Sequence, residues 1–362
     1  MVVVVAHVNI TAVAIALNKA PTTTTMAAFI VGSTTTSAAA TCHKKRQWEG
    51  EEKLDPDAPV TYFGTHRSFP DLEGYRSLCN GMKATLIETA AQGVKRTGGR
   101  SPRLSVLDVG SGRGGDINKW CRYRPRSYLG IDGSVASVEE AQRRHQKLVS
   151  DGKGGLAASF MAVDVRKEKL PIADGGIDVA SLQFSLQYAF DTEEGARHLI
   201  SELARVVRPG GLVVALLPDG DRLAAVLRQP GPQQSFGHFS FRKFERTVQA
   251  LETSNPPVGI PYSFTLGTRR DACPEYLVSP RYLQQILQEV GFEGALSEGR
   301  MSIGAHEFYA ECPHRGVVAT LTRARPCCAV DWMTLGAFRV VMVRRLQQEP
   351  LSVGSSRAVG CN

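Results

Sequence analysis

One stretch constrains this 362-residue chain more than any other: LSVLDVGSGRGGDINKW, residues 104–120. Leu104 to Val109 is a short apolar run of the kind that forms a buried parallel strand. A glycine-rich turn follows, and Asp116 to Trp120 opens a helix. Gly110, Gly112 and Gly115 satisfy G-x-G-x-x-G, a spacing that brings bare backbone and a helix N-terminus up to a bound ligand. Strand, turn and helix in that order predict an α/β chain with a parallel sheet.

The turn alone does not choose its ligand, because a dinucleotide and S-adenosylmethionine both suit it. Both also carry a ribose for Asp132, which ends a second strand, Tyr128 to Ile131. A third strand, Ser159 to Val163, ends at Asp164, a carboxylate suited to the exocyclic amine of an adenine. A fourth, Ile177 to Leu182, leads into Gln183-Phe184-Ser185-Leu186-Gln187-Tyr188. A helix over 192–207 then closes on Arg208-Pro209-Gly210-Gly211 before a fifth strand, 212–217. That closure is typical of methyltransferase sheets, and no hydride-transfer His/Lys pair accompanies it. The methyl donor is therefore favoured over a dinucleotide.

Charge is uneven along the chain. Of a net +8, half sits in residues 1–48, which hold Lys19, Lys44, Lys45 and Arg46 and no acid. Residues 1–58 read as a disordered extension. Lys44-Lys45-Arg46 is open to two readings, a short nuclear-import signal or a solvated charge run. Patterning typical of a folded domain fills 59–346, and 347–362 reads as a disordered tail. A soft stretch at 228–259 lies within the folded part, so 219–275 is read as an insertion on one domain. The eight cysteines form no CxxC pair, so free thiols and no structural metal are expected. No apolar run is long enough to span a bilayer.

Several separated motifs together resemble the eukaryotic mRNA cap guanine-N7 methyltransferase family. They are LDVGSGRGGDINKW, YLGIDGSVASVEEAQRR, SLQFSLQYAFDTEEGARHLISELARVVRPGG, LLPDGD and GIPYSFTLGTRRDACPEYLV. The resemblance implies a class I methyltransferase (Rossmann-like) fold, with a seven-stranded, mostly parallel sheet and helices on both faces. The last strand, near 338–344, should run antiparallel at or next to an edge. It also implies methyl transfer from S-adenosyl-L-methionine to N7 of the cap guanosine of a GpppN-ended RNA. A nuclear monomer, working beside other capping enzymes or RNA polymerase II and away from membranes, is the implied setting.

Donor-side positions implied by the resemblance are Lys83 for the donor carboxylate, Gly110 against the donor, Asp132 for ribose and Asp164 for adenine. Gln183 and Tyr188 would close over it. Cap-side positions are Asn80, Arg113, Lys119, Arg144, Gln187, Pro218, Glu275 and Phe338. Arg113, Lys119 and Arg144 would face the triphosphate. Glu275 would accept from guanine N1–H and the 2-amino group, with Tyr188 beside it at the reacting centre. Pro218 would pack on the guanine ring. Two departures from the family pattern bear most on the cap: Gln187 replaces a histidine, and Phe338 replaces a tyrosine, keeping the stacking face and losing the hydroxyl. Around Asn80 and Lys83 the family's first Asn and its Trp are also lost, and Ser111 replaces a cysteine.

Guanine N7 carries a lone pair and loses no proton on methylation. An in-line displacement there needs positioning, not a general base. Two other readings stay open on sequence alone: a methyltransferase acting on another RNA or small-molecule substrate, and a catalytically weakened relative that binds caps.

Overall fold

The computed structural model describes residues 72–97, 103–152, 156–266, 273–311 and 327–347. All of them belong to one compact unit, Leu54–Asn362. The head, the tail and Lys44-Lys45-Arg46 lie outside the described residues.

The central strands form for the reason their sequences imply. β1 (Ser105–Val109) and β4 (Ile177–Gln183) are buried at every position, as strands covered on both faces must be. Around them run β2 (Ser127–Asp132), β3 (Ala158–Ala162) and β5 (Val207–Pro218), giving a parallel order β5-β4-β1-β2-β3. β12 (Phe338–Arg345) lies antiparallel against β5. Two short strands, β10 (Phe292–Gly294) and β11 (Ser302–Gly304), pair with opposite ends of β12. The expected last strand is thus antiparallel and next to the edge. The sheet is the expected seven-stranded one, with β11 as an eighth, short strand beside it.

Side chains alternate across this sheet. Val106, Val214 and Val340 join one core with α1 (Glu73–Thr97), while Leu107, Val213 and Val341 join the other with α4 (Glu193–Val206) and α7 (Pro280–Glu289). α4 starts where the sequence places it. The Thr192 side chain accepts the Gly195 N–H at 3.0 Å, and Glu193 and Glu194 sit in the first turn, both favourable at a helix N-terminus. One expectation needs correction. β5 begins at Val207, so Pro209-Gly210-Gly211 lies within a strand that shifts register against β4 instead of preceding it. The helix after the glycine turn, α2 (Ile117–Cys121), has only five residues. α3 (Val135–Ser150) follows β2 and starts at the Ser134 cap.

The insertion builds its own antiparallel sheet, β6 (Gln233–Phe236), β7 (Phe239–Lys243), β8 (Pro261–Leu266) and β9 (Cys273–Tyr276), flanked by α5 (Gly220–Leu227) and α6 (Glu245–Thr253). Residues 267–272 of it lie outside the described set. The β6–β7 turn docks on α8 (Ala329–Leu335): the His238 N–H donates to Thr334 Oγ1 at 2.9 Å, and His238 Nε2 meets Asp331 Oδ1 at 2.7 Å. No described helix is long and apolar enough to cross a membrane.

Gly110 shows how closely the turn is packed. Its φ is +69°, and a Cβ built on it would lie 2.2 Å from Ser185 Cβ. We expect Gly110→Ala to cost about 2–4 kcal/mol, the sum of overpacking and left-handed strain. Urea unfolding measures it, and a midpoint equal to wild type would overturn this reading.

Candidate functional site

The parallel strands bring most of the candidate residues to one edge of the sheet. Gly110 follows β1, Asp132 ends β2, Asp164 lies just past β3, Gln183 ends β4 and Pro218 ends β5. Phe338 starts the antiparallel β12 and is the direct cross-strand partner of Pro218, so it reaches the same edge. Ligands of open α/β sheets bind at this carboxyl edge.

The glycine turn is tied to β2. The N–H groups of Gly110 and Ser111 both donate to Ile131 O, at 2.8 and 2.9 Å. Asp132 Oδ2 accepts the Gly112 N–H at 2.9 Å and Oδ1 accepts the Ser134 N–H at 2.9 Å. Burial raises the Asp132 carboxyl, and those two N–H groups oppose the rise. Gly112, with φ +50°, faces open space. Gly110 does not: Ser185 fills the position a side chain would take, so close packing is what requires glycine there. The other left-handed turn glycine is Gly114, packed on Ala141, where the sequence spacing named Gly115.

Beside the turn, one buried carboxylate gathers two lysines. Asp116 Oδ2 accepts from Lys83 at 3.0 Å and Oδ1 from Lys119 at 2.6 Å. Lys119 also donates to Asn80 Oδ1 at 3.1 Å. Asn80, Lys83 and Lys119 are therefore brought together, but around Asp116, which the sequence reading treated only as a helix opener. Burial alone would raise Asp116; the two lysines outweigh it and hold the carboxyl below its ordinary range. Asp108 lies beneath on β1. Burial first, and then the Asp116 charge, push it up to about 7, while Tyr128 donates to it at 2.5 Å. Like charges that share a site separate in this way.

Lys83 Nζ also stands 5.3 Å over the Phe184 ring, which packs on Phe338 with centroids 4.9 Å apart. Phe338 is 5% exposed and is also met edge-on by Phe239 at 5.4 Å. Phe338, expected to offer a stacking face, is thus part of a buried aromatic cluster.

A second carboxylate carries the insertion's contribution. Glu275 is 2% exposed. Its Oε1 accepts from Tyr188 Oη at 2.7 Å and from Gln187 Nε2 at 3.3 Å, and its Oε2 accepts from Tyr262 Oη at 2.7 Å. Burial pushes the Glu275 carboxyl up to about 7, against the bonds from Tyr262 and Gln187. Gln187 Nε2 donates to Phe184 O as well, at 3.1 Å. Sequence reasoning missed Tyr262; the signal is strand register, because β8 and β9 place Tyr262 directly opposite Glu275. Among the described residues, Gln183 Oε1, Gln187 Oε1 and Ser111 Oγ are buried without a hydrogen-bond partner.

The remaining candidates are engaged at the margins. Arg166 grips both oxygens of Asp164, at 2.9 and 3.0 Å, and reaches Asp191 at 2.6 Å. Hydrogen bonding to Arg166 lowers Asp164 to about 2. Arg144 bonds Glu140 at 2.6 Å and donates to Arg113 O at 3.2 Å. Arg113 and Arg144 thus adjoin each other, while Lys119 is turned to Asp116. Among the described residues, His238, Cys328 and Asp331 bring ligand atoms within 4.8 Å. Their 2.7 Å His–Asp contact is a hydrogen bond that pins the β6–β7 turn.

A family profile described as the mRNA (guanine-N(7))-methyltransferase domain matches residues 64–315. The chain belongs to this family. The relatives it resembles include the mRNA cap guanine-N(7) methyltransferase of Caenorhabditis elegans, 28% identical over 60% of this chain and 58% of that protein. The mRNA cap guanine-N(7) methyltransferase 1 of Arabidopsis thaliana is 28% identical over 65% of this chain and 62% of that protein. The Schizosaccharomyces pombe relative is 30% identical over 48% of this chain and 49% of that protein. The chain spans less than two thirds of the length of these family members. Among solved structures, the CcbJ methyltransferase of Streptomyces caelestis superposes with a TM-score of 0.46 at 12% identity, over 74% of this chain and 90% of that one.

The lysine pair sets an acid-side prediction. The lowered Asp116 stabilises the fold above the ordinary aspartate range, and that contribution is lost as pH falls through its folded value. Asp116→Asn should cost about 3 kcal/mol at neutral pH and flatten the loss of stability below pH 3.8. Thermal unfolding across pH measures both, and an unchanged acid slope would count against the network.

Proposed function

We propose that the chain transfers a methyl group from S-adenosylmethionine to N7 of the guanosine cap at the 5′ end of mRNA, as a nuclear monomer. The observation that carries this reading is Glu275: a buried carboxylate held by three neutral donors and, among the described residues, by no cation, beside the turn that follows β4. A bound S-adenosylmethionine supplies a methyl group on a sulfonium, which leaves as a neutral thioether.

The residues present fit that donor. Gly112 opens onto free space beside the Asp132 carboxylate, and the Gln183 acceptor is buried without a partner. Asp132 retains lone pairs for ribose hydroxyls. Lys83 is positioned for a carboxylate and already carries one, Asp116. Asp164 would offer adenine the lone pairs that Arg166 leaves.

Glu275 reads guanine by donor count. A carboxylate has about four lone-pair sites, and three are filled by Tyr188, Gln187 and Tyr262. Guanine brings two donors, N1–H and the 2-amino group, so one resident donor must yield. Oε1 is the crowded oxygen. Of its two donors, Gln187 makes the longer contact and has Phe184 O as a second acceptor. Gln187 is therefore the donor that yields, and its amide then faces guanine O6. Adenine, without a proton at N1, cannot make this exchange. Guanine N7 needs no base, so these residues act by holding the ring and by stabilising the positive charge that methylation places on it.

Two measurements test the reading. Tritiated-methyl transfer to GpppG-ended RNA should occur with wild type. It should fall roughly 100-fold or more in kcat/KM for Glu275→Gln, with donor affinity unchanged by calorimetry. Donor binding without any transfer would overturn the proposal. In addition, kcat/KM should decline as pH drops below about 7, where Glu275 takes up a proton. Tyr262→Phe removes a bond that favours the ionised carboxylate, so it should move that limb to higher pH. An unmoved limb would remove Glu275 from the role.

A further inference from the structure

The segment from Ile117 to Ile131 contains Lys119, Arg122, Arg124 and Arg126 and no acid. Its charge equals the whole net excess of the chain beyond residue 48. Lys119 is spoken for by Asp116 and Asn80. Arg122 and Arg124 are exposed, and neither side chain has an ion pair among the described residues. Arg122 caps α2 one turn after Lys119, so the two share a helix face. Arg124 is held with φ +46°, a left-handed backbone rare for a branched-off, non-glycine position. Tyr123 between them is half-buried, its ring edge-on to Trp120 at 6.4 Å. The acid on this side is Glu88 of α1, which raises the Tyr123 hydroxyl after burial and itself accepts from Gln92 at 3.1 Å.

The loop's position matters as much as its charge. The Arg126 N–H donates to Leu104 O at 2.7 Å, at the foot of β1, and Arg126 Nη2 donates to Ser105 Oγ at 2.7 Å. The loop thus lies at the opposite end of β1 from the glycine turn, about 16 Å away for five residues of strand. Cations run from the Lys83–Asp116–Lys119 cluster down the α2 flank to this loop. A ligand that only filled the cap pocket would never reach Arg124. A polyanion leaving that pocket would.

We propose that the α2–β2 loop, Arg122 to Arg126, binds the backbone phosphates of single-stranded RNA downstream of the cap. The direction of the track rests on the cap reading above; the loop's affinity for RNA does not. Phosphate contacts by arginine carry no sequence information, so the loop would accept any transcript, with Tyr123 offering a ring edge for a splayed base.

The test is fluorescence anisotropy of an uncapped single-stranded RNA oligonucleotide with the full chain. Arg122→Gln/Arg124→Gln should weaken binding about ten-fold and lessen the log–log salt slope by about 1.4, two contacts at about 0.7 each. Arg122→Lys/Arg124→Lys should retain most of the affinity. Arg246→Gln/Arg281→Gln, at exposed cations on α6 and α7, is the control for bulk charge and should bind like wild type. The proposal is overturned if the Gln pair binds like wild type, if the control pair loses as much, or if the Lys pair falls as far as the Gln pair. A second readout is the KM of a capped oligonucleotide relative to that of GpppG, which should rise in the Gln pair. Absence of transfer to GpppG by every form would instead sink the cap reading and leave the anisotropy result standing.

Discussion

A carboxylate buried with no cation beside it among the described residues is the constraint around which the insertion is arranged. Moving Glu275 out of water costs several kcal/mol unless its oxygens are hydrogen-bonded. The donors come from two separate places: Tyr262 from the neighbouring strand β8, and Gln187 and Tyr188 from the turn after β4. The small antiparallel sheet and the carboxyl edge of the main sheet are thus bound to each other by one side chain. Neutral donors compensate the charge only in part, which is why the carboxyl is pushed up to about 7. A lysine in their place would lower it further, but would also compete with guanine's own donors.

Asp116 meets the same difficulty in the opposite way. Two lysines surround it, and its carboxyl stays below the ordinary range although it is 6% exposed. The neighbouring Asp108 is pushed up to about 7 by its burial first and by the Asp116 charge second. Charge compensation suits a place that must hold cations in position. Neutral compensation suits a place that must present an acceptor. The two carboxylates therefore divide the edge into a cationic part and an accepting part.

The sheet was legible because its signals are local. An all-apolar β1, acids at the strand ends and a capped amphipathic α4 are each written in consecutive residues. The placement of Gly110, Asp132, Gln183 and Pro218 at one edge was legible for the same reason, since each sits at a strand end. Partnerships were less legible. Asp116 looked like a helix opener because its lysines come from positions 33 residues before and three after it. Tyr262 could be found only from the β8–β9 register, which no periodicity in so short a strand fixes. Phe338 read as a stacking face because sequence reports an aromatic ring but not what covers it. Its missing hydroxyl is in fact what suits it to burial, where a tyrosine would need a partner.

One residue joins the two halves of the site. Phe184 follows β4 with φ +62°, a conformation that costs a non-glycine residue about 1–2 kcal/mol. Its N–H bonds Leu216 O at 2.7 Å, its carbonyl accepts from Gln187, and its ring lies between Lys83 and Phe338. An extended backbone there would swing the carbonyl away from Gln187 and the ring away from Lys83 together. Glycine would adopt the turn freely but would leave Lys83 without its aromatic face and Phe338 with Phe239 alone of its two ring partners. The strain is held in place by four contacts to four different parts of the fold. The lysine cluster and the glutamate cluster therefore keep a fixed relation through the backbone and ring of a single phenylalanine.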